Sequence, residues 1–295
     1  MRMKRRILQR TLATVLLAAG LTAMTATQAF ALTELELAGA SRFETAVEIS
    51  QAGWSTGSAN AVIIATGRNW PDALGGAVLC GGDMLDGPLL LVEQDSIPDV
   101  VWNEISRLGA SEAVILGGPS AVGSVVEDRL NTELGASNVT RLQGANRYAT
   151  ANAIAAHAIE VDNANGLPYD GTAFVATGGD FPDSLAVSPY SMSGEWPLFL
   201  ADPVADTVPD AYMSSLGVTN VYILGGVSAV SVNQEAALVA EFGAENVTRL
   251  WGLNRYSTGT AIAQYAYENW FHVWKCCSFD KRENFPDDLE GGLLA

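Results

Sequence analysis

The 295-residue sequence predicts an α/β fold built from tandem modules, each a mostly parallel open sheet flanked by helices. Three observations lead there. The stretch LAGASRFETA at residues 37–46 returns as LQGANRYATA at 142–151 and as LWGLNRYSTG at 250–259, which sets Arg42, Arg147 and Arg255 at intervals of 105 and 108 residues. Short, wholly apolar runs alternate with helix-like segments between these motifs, the pattern of parallel strands covered on both faces. The second repeat presents its signals in the same order as the first. A period near 105 residues is too long for a solenoid unit and fits a small domain able to close its own core.

In the first repeat the spacing predicts a helix over 44–54, with Ala46, Val47 and Ile49 on its apolar side. A buried strand, AVIIA, follows at 61–65, and then a helix over 72–78. PLLLV at 88–92 reads as a second strand and PDVVWNEISRL at 98–108 as an amphipathic helix. Residues 113–116 form the next strand, 122–134 the next helix, and 139–142 a strand that leads into the second arginine motif. The second repeat answers with AFVATG at 173–178, PLFLA at 197–201, PDAYMSSL at 209–216 and VYILGG at 221–226.

The amino terminus has the marks of a secretory signal. Five of the sixteen basic residues lie in the first ten positions, residues 11–26 carry no charge, and Ala29-Phe30-Ala31 places small residues where cleavage after Ala31 requires them. The apolar core is short for a retained span, and no second run long enough to cross a bilayer follows. Without residues 1–31 the formal charge moves from -17 to -22. Such acidity argues against a nucleic-acid footprint and against general attraction to anionic lipid. It suits a solvent-facing extracytoplasmic protein. No cofactor is called for, although carboxylate-rich places leave room for divalent cations.

Cys80, Cys276 and Cys277 do not make a disulfide framework, and Cys80 reads as a small buried hydrophobe. His157 and His272 are too few and too isolated for a zinc site. There is no G-x-S-x-G elbow and no HExxH, and no histidine recurs with the repeats, so a catalytic constellation is not expected.

The repeated polar residues are the candidate site, because open parallel sheets take ligands at the carboxyl ends of their strands. Asp72, in NWPDALGGA, and Asp183, in DFPDSLA, fall where helices are expected to start, so each serves as a helix amino-terminal charge or holds a ligand or a neighbouring module. Gly117-Gly118 and Gly225-Gly226 follow strands, precede Ser120 and Ser228 and allow close backbone approach, and the exposed amides that follow them could receive an oxyanion. Arg42, Arg147 and Arg255, each followed by Phe43, Tyr148 or Tyr256, suit either a salt bridge between modules or a polymer contact.

SRFETA, NRYATA and NRYSTG, together with NWPDALGGA and DFPDSLA, the LLLV and LFLA strands and the two ILGGxSAV segments, resemble the cell wall binding repeat type 2 family of Gram-positive surface proteins. That resemblance implies non-covalent attachment to secondary cell-wall polymers through three modules around a pseudo-threefold axis. It carries over Arg42, Asp72 and Gly117-Gly118 in the first unit, Arg147, Asp183 and Gly225-Gly226 in the second, and Arg255 in the third. The expected divisions are a signal peptide at 1–31, modules at 32–140 and 141–248, and a truncated or degenerate third module at 249–295. The third departs from the pattern after AIAQYAYENW, where Cys276-Cys277, Lys281 and Arg282 stand in place of an apolar strand. Either the reading frame is altered there, or the module is shortened and its stub packs on the second unit or is completed by another chain.

The function this supports is polymer anchoring at the envelope of a secreted protein, without a chemical step. A wall hydrolase such as an N-acetylmuramoyl-L-alanine amidase and a structural surface-layer or adhesion protein are the alternatives.

Overall fold

The computed structural model describes residues 36–271, which from Leu37 onward belong to one compact unit. Each of the first two repeats folds into a four-stranded, all-parallel sheet. In the first, helix α1 (Arg42–Gly53) precedes β1 (Ala61–Thr66), β2 (Leu89–Val92), α2 (Asp99–Leu108), β3 (Glu112–Leu116), α3 (Ser124–Leu134) and β4 (Val139–Leu142), in the sheet order β2-β1-β3-β4. In the second, α4 (Arg147–Ala164) is followed by β5 (Thr172–Thr177), α5 (Pro182–Leu185), α6 (Ser188–Gly194), β6 (Leu198–Ala201), α7 (Asp210–Ser215), β7 (Asn220–Leu224), α8 (Val232–Phe242) and β8 (Val247–Leu250), ordered β6-β5-β7-β8. The registers match: Ile63 pairs with Leu89 as Phe174 does with Leu198, and Val114 with Thr140 as Tyr222 does with Thr248. The sheets therefore extend to Leu142 and Leu250, two residues past the divides expected at 140 and 248.

β1 and β5 are buried along their whole length, which explains why they read as continuous apolar runs without alternation. Buried Cys80 lies within this packing, its thiol donating to the Gly76 carbonyl at 3.6 Å.

One expected element is different. Residues 72–78 do not form a helix in the first repeat; turns lead to a 3-10 segment, Gly76–Cys80. Gly75 and Gly76 at its start, and Gly81-Gly82 after it, disfavour a longer α-helix. Gly76 also allows close packing, for a β-carbon there would stand 2.6 Å from Leu116 Cδ1. In the second repeat Ala186 and Val187 replace those glycines, and two short helices, α5 and α6, form instead.

The repeats share packing at their junctions. α4 lies at the junction: Ile154 is buried in a core that runs from the first repeat to Phe174, Leu198 and Leu224 of the second, and the next residue, Ala155, in a separate cluster on the second sheet that includes Val175, Phe199 and Ile223. The third repeat contributes α9 (Arg255–Ala266) and a π-helical turn, Tyr267–Phe271. α9 packs on α5 and β8, and Trp270 meets Phe174, Tyr190, Trp196 and Tyr222 at ring-centroid distances of 5.6, 5.4, 5.2 and 4.9 Å. The start of the third unit thus packs on the second. The altered stretch with Cys276 and Cys277, and hence the rest of the three-module arrangement, lies outside the described residues.

Candidate functional site

The helices that carry the repeated arginines are started by the residue before each arginine. Asn146 and Asn254 are N-caps, their side-chain oxygens accepting the backbone N–H of Ala149 and Ser257 at 3.0 Å. This fixes Arg147 and Arg255 as the first residues of their helices, beside the strand ends.

Arg42 Nη1 donates to the Gly67 carbonyl just after β1, and Arg147 Nη1 to the Gly178 carbonyl just after β5, at 2.6 Å in the second case. The aromatic residue that follows each arginine packs on the same glycine: a β-carbon at Gly67 would lie 2.8 Å from Phe43, and one at Gly178 2.3 Å from Tyr148. Phe43 and Tyr148 are therefore packing partners of the strand ends. Arg147 also reaches back to the preceding repeat, its guanidinium 4.9 Å from the Trp70 ring centroid, and Trp70 lies 6.0 Å from its second-repeat counterpart Phe181. Arg255 pairs with Asp180 of the second repeat at 3.6 Å.

Gly117 and Gly225 take left-handed backbone, φ 96° and 95°. Their amides donate to the Leu142 and Leu250 carbonyls at 2.8 and 2.9 Å, so these two N–H groups serve the sheet and are not turned to an oxyanion. A β-carbon at either would press on an aspartate, 2.6 Å from Asp72 Oδ2 in the first repeat and 2.3 Å from Asp183 Oδ2 in the second. The carboxylates of the PDA and PDS motifs thus rest directly on the glycine backbone. Asp72 lies in the turn before the 3-10 segment and caps no helix; Asp183 stands in the first turn of α5. Burial raises the Asp72 carboxyl above its ordinary value, against the opposing effects of a hydrogen bond from Thr150 and the charge of Arg147. Gly118 lies under Gln143 and Gly226 under Trp251, and the second pair borders a groove.

Two sets of residues were not singled out by sequence reasoning. Thr45, Thr150 and Thr258, three positions after the arginines, are buried and accept the N–H of Gly39, Gly144 and Gly252, each at 3.1 Å. Arg141 and Arg249, in the identical VTRL strands β4 and β8, donate to the Gly117 and Gly225 carbonyls at 2.7 and 2.8 Å and pair with Glu127 and Glu235 at 2.9 and 3.1 Å. Verbatim repetition of VTRL was the available signal. Each complete sheet is therefore clamped at two strand ends by a guanidinium on a glycine carbonyl.

These elements frame two grooves. One, of about 150 Å³, is lined by Thr66, Arg68, Asn69, Asp72, Gln94 and Ser120 of the first repeat. The other, of about 510 Å³, lies between the second repeat and the start of the third, where Asp180, Asp183 and Ser228 face Trp251, Asn254 and Arg255. Among the described residues no group of three or more His, Cys, Asp or Glu is disposed to hold a metal ion, and no helix is long and apolar enough to cross a membrane.

The profile of the Cell wall binding domain 2 (CWB2) family matches residues 36–127 and 141–235. The chain belongs to the CWB2 family. Both CWB2 matches take in the arginine helix, the first three strands, the aspartate and the glycine pair of their repeat; Arg255 lies beyond the second. The chain is similar to N-acetylmuramoyl-L-alanine amidase LytC of Bacillus subtilis (strain 168), 25% identical over 258 residues that make up 87% of this chain and 47% of the amidase. It is similar to the Amidase enhancer of the same strain, 30% identical over 77% of this chain and 29% of that protein. Among solved structures, Cwp8 from Clostridium difficile superimposes with a TM-score of 0.69 at 31% identity, covering 80% of this chain and 38% of Cwp8. Cwp6 from the same organism gives 0.68 at 26%, covering 82% and 38%. The chain spans less than half the length of each of these proteins. Its two complete CWB2 repeats are cell wall binding domains, which ties the chain to the cell wall or cell surface.

Proposed function

We propose that this chain is a non-catalytic anchor, exported by the signal at residues 1–31, that holds to a secondary wall polymer through the grooves at the strand ends of its CWB2 repeats. The observation that carries the reading is the groove of about 510 Å³ at the strand ends of the second sheet, to which two repeats contribute side chains. Repetition supplies the mechanism. Individually weak contacts to one repeating polymer add through effective concentration, so retention exceeds the affinity of any single groove. Arg42, Arg147 and the glycine pairs act in this reading by holding the groove walls in place, and Asp72, Asp183 and Arg255 act at the grooves themselves.

The test is sedimentation of the purified chain with wall sacs, before and after chemical stripping of their secondary polymers, with an assay for released sugar or peptide. Polymer-dependent pelleting without product is the expected result. Release of product would favour the amidase reading suggested by the name of the LytC relative, and failure to pellet would remove the anchoring role.

A further inference from the structure

The two junctions between repeats are not equivalent, and the difference turns on one position. Gln143 at the first junction and Trp251 at the second occupy the same place in the repeat, immediately before the glycine of LxGxNR. Both side chains lie over the second glycine of ILGG: Gln143 Oε1 is 3.1 Å from a β-carbon built at Gly118, and Trp251 Cε3 is 3.7 Å from one built at Gly226. The indole rests on the bare glycine and is still 54% exposed. The groove below it is the larger of the two.

Its polar lining is hydroxyl, amide and carboxylate, from Ser228, Thr177, Asn254, Asp180 and Asp183, with Arg255 as its cation. Arg255 is already set against Asp180 at 3.6 Å. Two carboxylates against one guanidinium leave this groove acidic, in a chain of formal charge -17. An anionic polyol phosphate would meet like charge there. A sugar would not: its hydroxyls donate to carboxylates and exchange hydrogen bonds with amide and hydroxyl groups. Its weakly positive C–H face matches the negative face of an indole.

We propose that the second groove is the sugar-reading site of this chain and that Trp251 is its stacking platform, selecting an uncharged glycosyl residue of the wall polymer; this rests on the anchoring function proposed above. The first groove is lined by residues of the first repeat alone, none of them aromatic, and serves as a weaker contact.

The experiment uses the full chain with intact and stripped wall sacs, at about 0.05 M and about 0.5 M salt, a span that strongly screens exposed charges. Wild type is expected to pellet equally at both salt concentrations. Trp251→Gln, which installs the first repeat's residue, is expected to weaken retention about tenfold, and Trp251→Phe to keep most of it. Thermal unfolding should be little changed in both variants, because the side chain is exposed and Gln is native at the equivalent position. If wild type pellets and Trp251→Gln pellets equally well, the platform is refuted while anchoring stands. If wild type is released by salt, the ligand is charged and the selection of an uncharged sugar is refuted. If wild type does not pellet at all, the anchoring function fails and the proposal falls with it.

Discussion

Thr150 of the second repeat lies against Asp72 of the first, and its hydroxyl, hydrogen-bonding the carboxylate, is one of the links between the two modules. The same Thr150 oxygen accepts the Gly144 N–H at 3.1 Å, and Thr150 is thus donor across the junction and acceptor within its own repeat. An oxygen used in both directions, and buried, has no water to replace a lost partner.

Thr150→Val keeps the shape and removes both bonds. It should cost about 1–3 kcal/mol in urea unfolding, since Asp72 and the Gly144 amide each lose a partner. Thr45→Val is the control. Thr45 also accepts a glycine N–H but has no preceding repeat among the described residues, so its loss should be the smaller.

Gly117→Ala forces a side chain into left-handed backbone and drives a methyl group against Asp72 Oδ2. Gly57, at φ 72°, has the same backbone handedness with open space around it. Gly57→Ala should therefore cost only the conformational part, about 1 kcal/mol, and Gly117→Ala distinctly more. Equal losses in denaturant titration would show that Asp72 yields freely.

Arg147→Ala should destabilise more than Arg42→Ala. Both lose a bond to a glycine carbonyl, but Arg147 also gives up its position over Trp70, worth about 0.5–2 kcal/mol. The double variant should weaken wall retention more than either single change, with helicity retained by circular dichroism. Unchanged retention would separate these arginines from the grooves they brace.

Asp162, 2% exposed near the carboxyl end of α4, faces Glu195, Asp170 and Asp83, and its Oδ1 finds no hydrogen-bond partner among the described residues. Burial, and then the neighbouring carboxylates, push its pKa up to about 7 from an ordinary 3.8; Glu195, which shares a hydrogen bond with it, is also raised. The folded state thus holds the proton more tightly than the unfolded chain. Stability is fullest below about pH 4 as far as this pair is concerned, and falls as pH climbs to about 7. Asp162→Asn should flatten that slope and stabilise the protein by about 1–2 kcal/mol at pH 8, with little change at pH 4, in thermal melts across the range. Glu104 works in the other sense. Burial opposes its ionisation, but hydrogen bonds from Arg107, Ser50 and Gln51 outweigh it and lower its pKa, so its contribution disappears as pH falls through the carboxylate range.

Strands such as AVIIAT and LFLA were legible because sheets covered on both faces leave no polar positions to confuse the reading. The arginine motif was legible as a recurrent feature, and its Asn N-caps explain why it begins helices. The helix expected over 72–78 does not form, because apolar residues between glycines fill a packed turn as readily as a helix. The roles of Arg141 and Arg249 were out of reach, since they depend on β4 and β8 lying beside the glycine pairs. The special standing of Trp251 was hidden for a similar reason: a single difference from Gln143 acquires meaning only once both are seen over the same glycine.

Ile154 and Ala155 are neighbours in sequence yet belong to different cores. A helix that fills two cores behaves mechanically as a rivet. Force applied across the two repeats cannot peel the first sheet from α4 without also disturbing the second, so the load is shared and the two repeats yield together. Cutting the chain at the repeat boundary would leave one half without its seal, and the smallest portable anchor is the riveted pair.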